Sequence, residues 1–291
     1  MKPYFGLRAH DYGTLPASEL ATKIATSGAQ CIQLALSKAL PDSPMLPTTL
    51  GEPGIRSVYE SFTRNNINIA VLGCYIDMVT PDIAEREKSL LRFEAHLASA
   101  AQLGCRIVGT ETGSPTPYLN KPDGVEAAFR EALTGIRRLV TAAELVGVCV
   151  GVEPVAHYHA LSSAEHAKIM LQEINSPALG IIFDPVNLVP EHGIESMDNF
   201  LDECFAAFGH KIVAIHVKDY ETVDGPNGKR KSPLPAGTGS MDWTGVFKRL
   251  IKAGKHSVPI LLEEAGPDQA PAAFERMQIA WGDAVKPRTQ H

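Results

Sequence analysis

Four apolar runs in the second half of the chain each end close to a side chain that can bind a metal ion. The motifs are Gly-Val-Glu-Pro at 151–154, Phe-Asp-Pro-Val-Asn at 183–187, His-Val-Lys-Asp at 216–219 and Leu-Leu-Glu-Glu at 261–264. They supply Glu153, Asp184, His216 and a glutamate at position 263 or 264. Carboxylates together with one imidazole suit a divalent cation such as Mn²⁺, Mg²⁺, Co²⁺ or Zn²⁺. The residue types therefore predict one divalent metal ion as a cofactor.

The spacing of these side chains predicts how they come together. Glu153 and Asp184 are 31 residues apart, Asp184 and His216 are 32 apart, and 47 residues separate His216 from position 263. A (β/α)8 barrel of about 250 residues uses about 31 residues for each strand with its helix. The first two gaps are therefore one unit each, and the third is one unit with a long loop. Four consecutive parallel strands would then deliver the four side chains to one mouth of a barrel.

Alternating strand and helix patterns run through the chain and predict one α/β domain, a (β/α)8 TIM barrel over residues 1–291 with a frayed tail at about 286–291. A doubly wound open sheet is the alternative, but no Gly-x-Gly-x-x-Gly motif follows the first strand. The segment 221–241 is rich in Gly, Pro and Lys and is predicted to be a loop, to which the sequence assigns no role. The predicted strands are 4–10, 31–36, 67–75, 106–112, 148–153, 179–184, 211–217 and 258–263.

The two-residue alternation of the strands places further polar side chains at the mouth. Arg8 and His10 share the inward face of the first strand, and Glu111 shares the parity of Ile107 in the fourth. Lys218 shares the parity of His216. We interpret Arg8, His10, Glu111 and Lys218 as candidate substrate contacts, together with His157 in the loop after the fifth strand. Alternation does not choose between Glu263 and Glu264, because the last strand is equally apolar on both faces.

Composition narrows the function classes. The chain of 291 residues has 44% hydrophobic residues and a formal net charge of −6, without a long basic run. This negative net charge argues against nucleic acid as a partner, because contacts between basic side chains and phosphates supply most of the affinity for nucleic acids. No run approaches the roughly 18 apolar residues of a membrane span, and the N-terminus lacks a signal-peptide pattern. We expect a cytoplasmic protein with a small-molecule substrate, and leave a homo-oligomer open.

The motifs resemble those of a known family, the xylose isomerase-like TIM barrels, which include sugar-phosphate isomerases and epimerases. The resemblance covers essentially the whole chain and includes the later Gly-Thr-Gly-Ser-Met-Asp-Trp at 237–243. It implies that Glu153, Asp184, His216 and Glu263 bind the metal and that Glu153 and Glu263 also move protons. The epimerase branch often has a His three residues after the Asp. Asn187 occupies that position here, which implies hydrogen bonding to a substrate hydroxyl.

The resemblance implies a metal-dependent isomerase or epimerase of a sugar, keto-sugar or sugar phosphate, acting through a metal-stabilised enediolate. A metal-dependent lyase, such as a dehydratase of a polyol ketone, is the alternative, because it shares the proton-abstraction step. A sugar sensor that lost turnover is disfavoured by the intact glutamate pair. The abasic-site endonuclease branch is also disfavoured, since it needs a His at position 187 and an Asp-x-His after the His216 strand, and both are missing.

Overall fold

Eight parallel strands close into a barrel in the computed structural model of the chain, which describes residues 1–41, 46–226 and 228–286. The barrel strands are β1 (Tyr4–Arg8), β2 (Cys31–Leu34), β3 (Asn68–Gly73), β4 (Ile107–Thr110), β5 (Cys149–Val152), β6 (Leu179–Phe183), β7 (Ile212–Val217) and β10 (Pro259–Leu262). The order around the ring is β1-β10-β7-β6-β5-β4-β3-β2. β1 pairs with both β2 and β10, which closes the ring and makes the open-sheet alternative wrong.

Helices connect the strands, and several of them begin at polar caps. The side chains of Asp82, Ser163, Ser196 and Asp242 each accept a backbone N–H from the first turn of the helix that follows, as N-caps do. The helices are α1 (Ala17–Ala25), α2 (Leu36–Ala39), α3 (Gly51–Thr63), α4 (Ile83–Ala100), α5 (Gly124–Val146), α6 (Ala164–Glu173), α7 (Pro185–Leu188), α8 (Met197–Phe208), α9 (Trp243–Lys252) and α10 (Ala270–Val285).

The apolar interior has two parts. A large cluster fills the layer between strands and helices, and it takes Phe5 and Leu7 from β1. A small cluster fills the barrel itself. Gly6 faces that interior, where an added Cβ would lie 2.2 Å from the Cys31 carbonyl oxygen. β1 therefore alternates as predicted, with Phe5 and Leu7 toward the helices and Gly6 toward the barrel axis. The residues of the small cluster are Cys31, Val71, Ile182, Ala214 and Leu261.

One loop and several strand ends differ from the sequence prediction. The segment predicted as a loop at 221–241 begins as an antiparallel hairpin of β8 (Asp219–Gly225) and β9 (Gly228–Leu234). The first strand ends at Arg8 rather than at His10, because residues Ala9–Tyr12 form a 3₁₀ turn. The strands predicted at 31–36, 67–75 and 106–112 likewise end two residues earlier, at Leu34, Gly73 and Thr110. The predicted frayed tail lies outside the described residues from position 287 onward.

Candidate metal centre

The four predicted ligands converge at the carboxyl ends of their strands. Glu153 follows β5, Asp184 follows β6, His216 lies within β7 and Glu263 follows β10. All four are buried, with exposed fractions of 3%, 0%, 1% and 5%. Glu264 is exposed and has a left-handed φ of 55°, so Glu263 is the glutamate that faces the interior. The fold thus shows which of the two glutamates faces the interior, a choice that the apolar pattern of the last strand left open.

Three of the four side chains lie close enough to share one ion. One ligand atom each from Glu153, Asp184 and His216 lies within 4.8 Å of the others. His216 Nδ1 is 3.1 Å from Glu153 Oε2 and 3.1 Å from Glu263 Oε1. His216 Nδ1 and Asp184 Oδ2 are buried without an aligned hydrogen bond, and charged groups lie next to both: the two glutamates beside Nδ1, and Lys218 Nζ at 2.9 Å from Oδ2. Three buried carboxylates around one imidazole form a donor set that fits a divalent cation.

Two cations contact Glu263, the fourth predicted ligand. Lys218 Nζ lies 2.9 Å from Glu263 Oε2 and 2.9 Å from Asp184 Oδ2, and Arg8 Nη1 lies 3.2 Å from Glu263 Oε1. Burial alone would raise the pKa of Glu263, but His216, Lys218 and Arg8 lower that pKa below its usual range. Burial disfavours the charged form of Lys218, yet Asp184 and Glu263 raise its pKa well above the ordinary value. Glu263 therefore remains an ionised carboxylate at neutral pH.

The carboxylates around His216 favour a positive charge at this position. Burial disfavours its charged form, but Glu263 and Glu153 outweigh burial and raise the pKa of His216 to about 9. Since a metal ligand must be deprotonated, a bound divalent cation would take the place of that proton. The other ring nitrogen, Nε2, lies 2.9 Å from Gln33 Oε1. Sequence reasoning assigned no role to Gln33, although its polar side chain inside an otherwise apolar strand was a usable signal.

The structure brings most of the predicted substrate contacts to this mouth. Arg8 donates to Asp11 through Nε and Nη2 and reaches Glu263 with Nη1. His10 lies in the 3₁₀ turn with Nδ1 buried and without a partner, and burial and Arg8 lower its pKa to about 4. Burial, Glu153 and Glu263 raise the pKa of Glu111 to about 7. These groups are therefore poised as hydrogen-bonding partners for a polar ligand.

Asn187 and the two loop histidines take different positions. Asn187 Nδ2 donates to Glu153 Oε1 at 2.6 Å, so its amide contacts a predicted catalytic group directly. His157 is exposed, with a left-handed φ of 66°. His159 is the inner of the two histidines: its Nε2 lies 3.4 Å from Glu111 Oε2, and its Nδ1 accepts the Gly113 N–H. Sequence reasoning singled out His157, and only the course of the loop distinguishes it from His159.

Two cavities lie near the centre. The larger, of about 1100 Å³, is lined by His157, His159 and residues of the loops before α6 and α8, and by none of the four predicted ligands. The smaller, of about 150 Å³, is lined by Asn187, Lys218 and Lys231 among others. Because Asn187 and Lys218 each touch a predicted ligand, the smaller cavity is the one that adjoins the centre.

Among the residues that the structure describes, no helix has both the length and the apolar character that crossing a bilayer requires.

Comparisons with solved structures agree with this fold, whereas no curated protein matches the sequence. The IolI protein with a binding zinc atom has a TM-score of 0.73 and 18% identity, with 98% of each chain covered. D-psicose 3-epimerase with D-tagatose, from Clostridium cellulolyticum H10, has a TM-score of 0.73 and 14% identity over 96% of this chain and 99% of that one.

A third similar structure carries a different activity. The probable 3-DHS dehydratase AsbF from Bacillus anthracis has a TM-score of 0.71 and 14% identity, covering 95% of this chain and 99% of that one. At these identities the likeness shows the fold. The sequence model of the xylose isomerase-like TIM barrel matches residues 21–280. The chain therefore belongs to the xylose isomerase-like TIM barrel family.

Proposed function

We propose that the protein is a divalent-metal-dependent isomerase or epimerase of a sugar, keto-sugar or sugar phosphate. One observation carries the proposal: Glu153 and Glu263, from strands on different sides of β7, each place a carboxylate oxygen 3.1 Å from His216 Nδ1. Two carboxylates around one point can take a proton from a substrate carbon and return one. A solved structure of the same fold is a D-psicose 3-epimerase.

The donor set fits the metal that this chemistry requires. Glu153, Asp184 and His216 would hold the ion, and Glu263 would complete the set. Two carboxylates and an imidazole, with a third carboxylate beside them, suit Mn²⁺, Mg²⁺, Co²⁺ or Zn²⁺. A divalent ion in this position supplies Lewis-acid stabilisation of the negative charge that develops on a carbonyl oxygen.

The protein's own groups position and move the protons. Asn187 holds one oxygen of Glu153 by its hydrogen bond, which leaves the other oxygen, Oε2, turned toward His216. Lys218 and Arg8 keep Glu263 ionised, so that it begins as a proton acceptor. Return of the proton to the opposite face of the same carbon gives epimerisation, and return to the adjacent carbon gives aldose–ketose isomerisation.

The surroundings of the centre support a small polar substrate. Arg8, His10, Glu111 and Lys218 present charged or hydrogen-bonding groups there, and we propose that they bind sugar hydroxyl or phosphate oxygens. We keep His157 as a peripheral substrate contact only for a ligand that extends into the larger cavity. A cytoplasmic location, the absence of nucleic-acid partners and a homo-oligomer stay predictions.

A metal-dependent lyase is the second candidate function. A solved structure of this fold is a probable dehydratase, and dehydration of a polyol ketone begins with the same proton abstraction. The two reactions separate at the next step, since a lyase expels a β-hydroxyl group instead of receiving a proton. Product analysis distinguishes them, because dehydration changes the mass of the substrate and epimerisation leaves it unchanged.

Solvent-deuterium exchange tests the proposed function. With Mn²⁺ and a panel of ketoses in D₂O, the wild type should place deuterium at the carbon next to the carbonyl. Glu153→Gln and Glu263→Gln should each lower turnover by about 10²–10⁴-fold, because an amide does not take a proton at neutral pH. Glu165→Gln, on the exposed face of α6, is the matched control and should keep full turnover. Turnover of a sugar without any deuterium uptake would contradict the two-glutamate proton transfer.

A further inference from the structure

Gln33 crosses the barrel interior to reach a predicted metal ligand. It lies on β2, whereas His216 lies on β7, and these strands are not neighbours in the ring. Both side chains are buried, each 1% exposed. Gln33 Oε1 is 2.9 Å from His216 Nε2. The amide therefore contacts the Nε2 edge of the imidazole, whereas the carboxylates lie at Nδ1.

The other end of the amide is also bound. Gln33 Nε2 donates to the Tyr75 hydroxyl at 2.7 Å. Both ends of the side chain thus have partners, so rotation of the amide would exchange a donor for an acceptor at two contacts. The layer below it is the small apolar cluster of the barrel interior. A buried amide among apolar groups is costly unless its hydrogen bonds are made, and here they lead to His216.

We propose that Gln33 is a positioning residue that presents His216 Nδ1 to the metal. This inference rests on the proposed metal centre and adds a residue that acts through a ligand. An amide oxygen only accepts hydrogen bonds, so His216 Nε2 must carry the proton. The neutral imidazole then has its lone pair on Nδ1, the atom that lies 3.1 Å from Glu153 Oε2 and Glu263 Oε1.

Loss of this acceptor changes the imidazole in a defined way. Without it, the neutral ring is free to carry its proton on Nδ1, next to the carboxylates, where that proton blocks metal coordination. The ring also loses the contact that fixes its rotation about the side-chain bonds. Partners of this kind, which orient a metal-bound histidine through its second nitrogen, typically change metal affinity by about 10–100-fold.

Calorimetric titration with Mn²⁺ alone tests the role of Gln33. Gln33→Met keeps the length of the side chain and removes the acceptor, so we expect Mn²⁺ to bind about 10–100-fold more weakly. Gln33→Glu restores an acceptor for both His216 and Tyr75, and it should bind Mn²⁺ at least as tightly as the wild type. Gln172→Met, on the exposed face of α6, is the matched control and should leave affinity unchanged. Equal affinity in Gln33→Met and the wild type would overturn the inference.

A spectroscopic readout separates positioning from simple packing. In ¹⁵N-histidine-labelled protein loaded with Zn²⁺, His216 should have a protonated, slowly exchanging Nε2 and a metal-bound Nδ1 in the wild type and in Gln33→Glu. In Gln33→Met the slowly exchanging Nε2 proton should disappear. Zinc bound through Nε2 in the wild type would overturn the inference, even where Gln33→Met does not fold.

The outcomes also separate the inference from the function on which it rests. A wild type that binds neither Mn²⁺ nor Zn²⁺ would contradict both. A wild type that binds metal and exchanges deuterium as proposed, together with an unaffected Gln33→Met variant, would contradict only the role of Gln33. Mn²⁺ binding in Gln33→Glu that is at least as tight as in the wild type, together with weaker binding in Gln33→Met, supports the positioning role, because Glu supplies the acceptor that Met lacks.

Discussion

At the scale of single residues, Lys218 is the group that offsets the negative charge of the carboxylates at the centre. Its ammonium group bridges Asp184 and Glu263 at 2.9 Å each, and its pKa lies well above the ordinary value despite burial. Burial raises the pKa of Asp184, and Lys218 opposes that rise. The lysine therefore stabilises two buried carboxylates that would otherwise repel each other, while its charge competes with a divalent ion.

Replacing Lys218 should consequently change two properties in opposite directions. In Lys218→Met the free energy of unfolding without metal should fall by about 3–5 kcal/mol, the usual result of removing one partner of a buried ion pair. Mn²⁺ affinity should rise, because a nearby positive charge has been removed. Denaturant unfolding with a chelator and calorimetric Mn²⁺ titration measure the two effects.

The control for this substitution is an exposed ion pair. Lys168 pairs with Glu165 on the surface of α6, and Lys168→Met should change stability by less than about 1 kcal/mol. Weaker Mn²⁺ binding in Lys218→Met would contradict the competition between lysine and metal, and would instead indicate that Lys218 helps to orient the carboxylates for the ion.

At this scale the sequence predicts that Glu153, Asp184 and His216 meet, because their spacing is periodic. The one-unit spacing depends on the lengths of the strands and helices and not on the details of side-chain packing. Gln33 and His159 could not be assigned in the same way, because their roles depend on contacts between distant segments. The sequence separation between Gln33 and His216 is 183 residues, and no local pattern encodes that meeting.

At the scale of elements, the β8–β9 hairpin is the main departure from the sequence prediction. Its second strand contains Lys229, Arg230, Lys231 and Pro233, residue types that have low or positional preference for strands. Lys231 Nζ donates to the Val186 and Val189 carbonyls at 2.7 and 2.6 Å, which fastens the hairpin to the segment around α7. The pairing therefore depends on tertiary contacts that a strand pattern does not contain.

Removing this attachment should loosen the hairpin without changing the barrel. In Lys231→Met, hydrogen exchange of the amides in β8 and β9 should become faster, because hydrogen bonds to a charged group worth about 1.5–3 kcal/mol each are lost. Lys229→Met, on an exposed side chain of the same strand, is the control. Unchanged exchange of the hairpin amides would indicate that the strand pairing itself holds the hairpin in place.

Helix ends carry a signal in the sequence that strand ends lack. Gly147 follows α5 directly with a left-handed φ of 67°, and glycine adopts this conformation at helix ends most readily. Strands carry no comparable end signal, so the first strand was predicted two residues too long, into the 3₁₀ turn that contains His10. These irregular strand ends shape the mouth, which is why the positions of its candidate substrate contacts were harder to predict.

At the scale of the whole molecule, the barrel follows from repetition. Eight strand–helix alternations leave little choice of topology, and the closed ring of parallel strands confirms it. That the entire chain behaves as one domain stays a prediction, which a single calorimetric unfolding transition would support. The oligomeric state has no comparable signal, because surface composition does not specify a partner.

The stability of the whole fold should depend on pH through a histidine far from any predicted ligand in sequence. His96 on α4 is 4% exposed, and its Nδ1 lies 2.8 Å from the Arg92 carbonyl oxygen. Burial is the main reason that the pKa of His96 is lowered to about 4. The unfolded chain, with a histidine pKa of about 6.5, binds this proton more readily than the folded protein does. The contribution of His96 is therefore fully present above pH 6.5 and is lost as the pH falls toward 4.

Between pH 7 and pH 5, the difference between the folded and unfolded pKa of His96 should lower the free energy of unfolding by about 2 kcal/mol, since one pKa unit corresponds to about 1.4 kcal/mol. In His96→Gln that part of the decline should be absent, so denaturant unfolding at the two pH values should give a smaller drop than in the wild type. His210→Gln, at an exposed position, is the control and should retain the wild-type drop. If His96→Gln loses as much stability as the wild type between pH 7 and pH 5, the acid sensitivity comes from the carboxylates, not from neutral burial of His96.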